Sequence, residues 1–429
     1  MEQVLRFFSL RDANVQYVLF GSILLGAASG MLGTFALLRK RSLLGDALAH
    51  AALPGICIAF LLTGTKSVLP LLIGATVAGI LGVLVLQGII KGGRIKADSA
   101  IGIVLTVFFG IGIVLLTYIQ QIPQGNQSGL DKFLFGQAAS MLPADLMVMT
   151  IISLFILVMI VLFFKELRLL TFDPDYLRSL GYPLALLDLL LMALIVLTVM
   201  VGLQAVGVIL IVAVLITPPT AARFWTNQLT GMVILASLFG ALSGFFGAFF
   251  SSLAPRIPTG PVMVLAATLF FILSALCAPK RGVLAKILMQ RQNQKRMALE
   301  HLLRGFIEIL ETQPKQYAIA LQELAHHLQT SERHVAGLAK ELEKERYASL
   351  RDGKIQLTIL GHQRAIDIVK THRLWEYYLI HRAKLQPDHV HRDADEIEHV
   401  LSHEMISQLE AILEKEGVDT HAIVSVHQE

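Results

Sequence analysis

The chain has 429 residues, 55% of them apolar, a mean hydropathy of +0.65 and a formal net charge of +4. That is too apolar for a water-soluble protein of this length and selects an integral membrane protein. The two cysteines, Cys57 and Cys277, both in apolar segments, offer neither a disulfide framework nor a zinc ribbon.

The charge is unevenly spread. Residues 1–290 hold 18 Lys+Arg, 10 Asp+Glu and one His, whereas residues 291–429 hold 18 Lys+Arg, 22 Asp+Glu and 13 His. The first part reads as membrane, the second as a soluble domain of ordinary size. Residues 1–15 are mixed and polar and do not read as a cleavable signal peptide.

Runs long enough to span a bilayer fall at about 16–38, 48–64, 67–90, 98–119, 143–164, 184–203, 206–222, 229–252 and 259–278, at roughly 20 residues per span. Nine spans divide the Lys and Arg flanks twelve against five, the larger set including Arg39–Arg41, Lys91, Arg94, Lys96, Arg223 and Arg281. The more basic side is cytoplasmic, so the N-terminus is expected outside and the C-terminal domain inside.

The second run begins in GDALAHAALPGI, Gly45 to Ile56. Asp46 and His50 are i and i+4, on one helix face. A carboxylate and an imidazole in an apolar segment need partners. They read equally as two ligands of a divalent cation or as a structural pair, Asp46 near an N-cap and His50 bonded to a neighbouring helix.

Further along, 120–133 is polar and Gly-rich, as an external loop should be. The longest internal cytoplasmic connection, KELRLLTFDPDYLRSLGYP (165–183), reads as a short amphipathic helix capped by Asp173-Pro174 and stopped by Gly181 and Pro183. It is either a rigid surface for a soluble partner or an interfacial loop. Pro218-Pro219 is expected to break the helix of the seventh run. SGMLG, GATVAG and GALSGFFG suit close helix packing.

Four stretches, LLGDALAHAALPGI, FDPDYLRSLGYP, LQAVGVILIVAVLITPPTAARF and IPTGPVMVLAATLFFILS, make residues 10–280 resemble the membrane subunits of the ABC-type manganese/zinc/iron uptake family. The resemblance implies a permease that pairs with a second permease subunit, receives metal from an external metal-binding lipoprotein and docks a cytoplasmic ABC ATPase. It places Asp46 and His50 on the metal path, at mid-membrane. It assigns the docking role to Phe172, Asp173, Arg178 and Gly181. No Walker motif occurs in the chain, so the ATPase is expected to be another polypeptide.

In the second half, the basic stretch 280–297 is expected to extend the last membrane helix toward anionic lipid. An amphipathic helix follows at 299–311. Leu321, Leu324, Ala325, Leu328, Val335, Leu338 and Leu342 have helix-turn-helix spacing. Ser331 is the N-cap of the second helix, Arg333, His334 and Lys340 lie on its exposed face, and a hairpin turns at Arg351-Asp352-Gly353-Lys354. The alternative is a small helical dimerisation module. His372 and Glu376 are i and i+4, and His391, Asp395, Glu398 and His399 follow at ligand spacing. Singly each suits a solvated face; together they point to a metal site.

These motifs, with HRLWEYYL and HRDADEIEHVLS, make residues 297–412 resemble the diphtheria-toxin-repressor/manganese-regulator family. The resemblance implies a metal-activated, dimeric DNA-binding repressor. Its ligand positions fall on His372, Glu376, His391, Asp395, Glu398 and His399. A first-helix ligand falls on His301, where that family usually has Met or Asp. DNA contact would come from Ser331, Arg333, His334 and Lys340.

The expected fold is an all-α polytopic membrane domain of about nine helices (1–282), a basic linker (283–296), a winged helix-turn-helix (297–370) and metal-binding and dimerisation helices (371–429). The expected function is a membrane subunit of an ATP-driven divalent transition-metal importer fused to a metal-responsive repressor in the bacterial cell membrane. It is not expected to be an enzyme. Oxygen and nitrogen ligands favour Mn²⁺ or Fe²⁺, with Zn²⁺ also possible. Operator DNA and membrane lipid complete the expected partners. The alternative is a C-terminal domain that senses metal to gate transport without touching DNA.

Overall fold

The computed structural model describes residues 7, 13–40, 43–65, 68–93, 95–121, 143–253, 257–313, 316–381 and 403–415. Contacts divide the chain into two units, with the boundary between Lys286 and Ile287.

The first unit is helical. In chain order it contains α1 (Ala13–Leu38), α2 (Leu44–Thr63), α3 (Val68–Lys91), α4 (Ala97–Gln121), α5 (Pro143–Leu162), α6 (Phe164–Phe172), α7 (Pro174–Ser179), α8 (Leu184–Ala205), α9 (Val208–Arg223), α10 (Leu229–Leu253) and α11 (Thr259–Cys277). Every one of the nine apolar runs falls on one of these helices. Among the described residues, seven helices are long and apolar enough to cross a membrane, and α5 with α6 makes an eighth as a pair bent by 68°. α9 has only 16 residues, about 24 Å of helix. The described helices α1 and α2 are the most enclosed, each with 78% of its apolar window buried, while α4 and α11 expose most of theirs, at 28% and 22%. Helices apolar on every side, with exposed apolar flanks, are what a lipid solvent selects.

Glycine decides how closely they pack. A Cβ at Gly26 or Gly240 would fall on the other's backbone carbonyl; one at Gly30 would meet that of Ala236, and one at Gly244 that of Ser22. These pairs bring α1 and α10 backbone to backbone. Gly55 and Gly74 do the same for α2 and α3. The three glycine-rich stretches singled out by sequence therefore lie at helix contacts.

Three local expectations are corrected. Pro218-Pro219 does not break its helix, since α9 runs through both to Arg223. Two prolines remove the donors that would bond the carbonyls of Val214 and Leu215. The Leu215 carbonyl instead lies against Gly33 of α1, where any side chain would collide with it. The break comes earlier, at Gly207 with φ 96°, between α8 and α9. Second, the segment 165–183 is two helices. The predicted cap and stop are present: Asp173 accepts from the Tyr176 N–H at 2.9 Å, Pro174 opens α7, and Gly181 has φ 83°. Third, 283–296 does not continue α11. That helix ends at Cys277, where Pro279 excludes Ala278 from the helical region and holds its ψ at 128°. The basic stretch instead opens α12 (Val283–Thr312), which also contains the predicted amphipathic helix.

The second unit continues with β1 (Ile319–Ala320), α13 (Leu321–His327), α14 (Glu332–Lys344), β2 (Ala348–Arg351), β3 (Lys354–Leu357), α15 (Ile359–His381) and α16 (His403–Lys415). The sheet order is β1-β3-β2, antiparallel, with Arg351 opposite Lys354 and Ile319 opposite Ile355. Asp352 and Gly353 both have positive φ, 49° and 73°, the backbone of a two-residue hairpin turn that follows strand twist. Leu302, Phe306, Leu324, Val335, Leu342 and Ile355 share its core. This is a winged helix-turn-helix.

Gly30→Leu is expected to force α1 off α10 and to destabilise the membrane unit by about 1–3 kcal/mol or more. Thermal unfolding in detergent measures it; an unchanged midpoint would mean that the close approach is not needed.

Candidate metal sites and the winged helix

The pair predicted on α2 is formed. His50 Nε2 lies 3.4 Å from Asp46 Oδ1, with side-chain exposures of 19% and 39%. It occupies the first two turns of α2, not the middle of that helix. Leu44, Gly45, Ala47, Leu48 and Ala49 around it are buried. The His50 ring stands edge-on to Phe109 of α4, with centroids 4.7 Å apart. Its Nδ1 is buried and makes no hydrogen bond within the protein. A buried imidazole nitrogen without a partner is costly for a purely structural residue. Pro54, in the same helix, also removes the N–H that would bond the His50 carbonyl.

The docking candidates lie together. Phe172 is 61% exposed, Tyr176 52% and Leu180 49%, while Leu177 is wholly buried in the core of the unit. Asp173 caps α7, Arg178 is exposed near Asp175 at 3.9 Å, and Gly181 has open space around it. One buried leucine anchors a short helix whose Tyr176, with Phe172 at the end of α6, is exposed.

In the second unit, Ser331 caps α14 by accepting from the His334 N–H, 3.4 Å away. Arg333, His334 and Lys340 are exposed, opposite the buried Val335, Ala339 and Leu342. Lys295 of α12 is 2.9 Å from Glu341 of α14 and holds that carboxyl below the usual carboxylate range. The contribution of this pair is present at neutral pH and lost as the pH falls and Glu341 is protonated.

His372 and Glu376, on α15, are each only 3% exposed, with His372 Nε2 3.1 Å from Glu376 Oε1. His301 lies half-buried on α12. His391, Asp395, Glu398 and His399 lie outside the described residues. Among the described residues, no three His, Cys, Asp or Glu side chains gather closely enough to hold a metal by themselves. Sequence reasoning missed Arg304. Buried on α12, it places Nη1 3.2 Å from His372 Nδ1 and Nε 3.4 Å from Glu308 Oε1. Its i,i+4 spacing to Glu308 reads as a surface pair, and no signal along the chain shows that α15 covers it. Glu300, also buried, is held by Arg296 at 3.3 Å and by Arg364 of α15 at 2.9 Å.

The family model for the ABC 3 transport family matches residues 11–278. The chain belongs to that family. The model of the iron dependent repressor metal-binding and dimerisation domain matches residues 358–423. The family's permease and a repressor-type metal domain are therefore fused in one multi-pass membrane protein. A manganese transport system membrane protein of Bacillus subtilis is 44% identical over 392 residues, 90% of each chain. A zinc transport system membrane protein of Treponema pallidum is 46% identical over 292 residues, covering 68% of this chain and 97% of its own. Among solved structures, PsaBC from Streptococcus pneumoniae in complex with Fab is similar at 34% identity, with a TM-score of 0.57, covering 65% of this chain and 97% of its own.

His372→Ala removes the buried His372–Glu376 hydrogen bond from the core. The metal-free second unit is expected to lose about 1–3 kcal/mol. Hydrogen exchange along α15 in the full chain reads this out; unchanged protection would mean the pair is not coupled to folding.

Proposed function

We propose that this chain is the membrane subunit of an ATP-driven importer of a divalent transition metal, and that its second unit is a metal-responsive DNA-binding repressor. Manganese is the favoured substrate, with iron and zinc behind it. The observation that carries the transport reading is the buried, unpartnered Nδ1 of His50, one helical turn from the Asp46 carboxylate. One nitrogen and one carboxylate donor suit a borderline cation such as Mn²⁺, Fe²⁺ or Zn²⁺. Two donors from one subunit are too few for a closed cage. That suits a substrate in transit and leaves positions for a second permease subunit. The names of the Bacillus and Treponema relatives point to manganese and zinc in the same direction.

Energy comes from a separate cytoplasmic ATPase, docked on Phe172, Asp173, Arg178 and Gly181. Metal is delivered by an external metal-binding lipoprotein. The surplus of Lys and Arg on one set of flanks puts the second unit in the cytoplasm, where His372, Glu376, His391, Asp395, Glu398, His399 and His301 sense imported metal. Arg333, His334 and Lys340, with the capping Ser331, are the face offered to DNA.

His50→Ala is expected to reduce manganese uptake by at least tenfold while the protein still inserts, as measured by radiolabelled uptake in cells at matched membrane expression. Uptake at the unsubstituted level would sink the transport role of the pair. For the repressor, the full chain in nanodiscs is offered a pool of random-sequence duplexes, with and without Mn²⁺. Enrichment of a palindromic site only with Mn²⁺, abolished by Arg333→Ala, is the expected result. Equal retention under all conditions would favour a domain that gates transport instead.

A further inference from the structure

We propose that the Arg304 guanidinium is a built-in placeholder for the sensor's metal, and that any divalent cation binding His372 must expel it and so disturb a polar chain that runs from the buried His372 to the surface of the helix-turn-helix. The proposal rests on the sensor reading above and deepens it.

The donor set fits a metal. His372 and Glu376 provide an imidazole nitrogen and a carboxylate oxygen, both buried, on adjacent turns of α15. Such a pair suits Mn²⁺ or Fe²⁺. Both ring nitrogens of His372 are already engaged, however. A guanidinium carries only donors, so Nδ1 must accept from Arg304 Nη1 at 3.2 Å. The ring proton is therefore on Nε2, where it is donated to Glu376 Oε1 at 3.1 Å.

A metal needs a nitrogen lone pair. If it binds at Nδ1, it takes the lone pair that Arg304 holds. If it binds at Nε2, the proton there must move to Nδ1, and that N–H then points at an Arg304 N–H. Two donors cannot bond each other. Whichever nitrogen the metal chooses, Arg304 has to leave.

Arg304 is also tied to the other side. Its Nε is 3.4 Å from Glu308 Oε1, and Glu308 Oε2 is 2.8 Å from His327 Nε2. His327 is the last residue of α13, and Ser331, the cap of α14, follows four residues later. The polar chain thus runs from α15 through α12 to the turn of the helix-turn-helix. Movement of Arg304 must alter Glu308, the partner that Arg304 and His327 share. Metal occupancy and the placement of the DNA-facing helix are then linked through one side chain, and reciprocally.

The test uses the full chain in nanodiscs on a His50→Ala background, which removes the membrane pair from the titration. Mn²⁺ binding is followed by the loss of the free-ion electron paramagnetic resonance signal. Arg304→Met is expected to tighten Mn²⁺ binding about tenfold, the worth of a lost charged hydrogen bond. Arg304→Gln, which fills the space with a neutral polar group, covers the case in which Arg304→Met fails to fold, and is expected to shift affinity the same way. His372→Ala should weaken binding by tenfold or more. Mn²⁺ should also change hydrogen exchange over residues 321–331 in the background protein but not in Arg304→Met. If His372→Ala leaves Mn²⁺ binding intact, the sensor reading itself fails. If His372→Ala weakens binding while both Arg304 variants bind no more tightly than the background, the sensor stands and the placeholder is refuted. Exchange over 321–331 that is indifferent to Mn²⁺ in the background protein overturns the relay.

Discussion

Gly26, Gly30 and Gly33 let α1 lie on the backbones of α9 and α10, and the membrane unit depends on that contact. Inside a bilayer, apolar side chains gain little by leaving lipid for protein. Helices associate there through close van der Waals contact and interhelical polar contacts. Gly240 and Gly244 supply the matching hollows on α10. The Leu215 carbonyl, left without its helical donor by Pro219, comes up against Gly33. Residues that weaken an isolated helix therefore serve as the packing surface of the assembled unit.

That packing also positions α2. Gly55 and Gly74 draw α2 against α3, and Gly45 brings its first turn near Leu215 of α9. Asp46 and His50 are thereby set among apolar neighbours, with Phe109 against the imidazole ring. A carboxylate and an imidazole only partly exposed, with Nδ1 of His50 unpartnered, form an incomplete site. For the proposed transport role incompleteness is an advantage, because a fully satisfied cage would hold a cation too firmly to release it.

The second unit solves the opposite problem. Several of its charged groups are matched: Glu300 with Arg296 and Arg364, Glu308 with Arg304 and His327, and His372 with Arg304 and Glu376. Buried networks of this kind resist the removal of a single member. For the proposed sensor this stiffness matters, since a ligand that breaks one contact must then move the others.

Much of the architecture could be read from the chain alone. Lipid as solvent demands long apolar runs, and all nine coincide with helices. Asp173, Ser331 and Asp352-Gly353 act through neighbours two or three residues away, so their caps and turn were legible from sequence. Asp46 with His50, and His372 with Glu376, share a helix face by spacing, and that too is local. What sequence misjudged was set at a distance. Pro218-Pro219 stays helical because α1 offers a glycine to the Leu215 carbonyl, and the basic stretch after Cys277 joins α12 because Pro279 ends α11 first. Arg304 is the clearest case. Its spacing to Glu308 describes an ordinary surface pair, and only the packing of α15 over α12 turns it into the partner of His372. Local chemistry follows from near neighbours along the chain, whereas the partner of a buried charge is chosen by whichever helix tertiary packing lays across it.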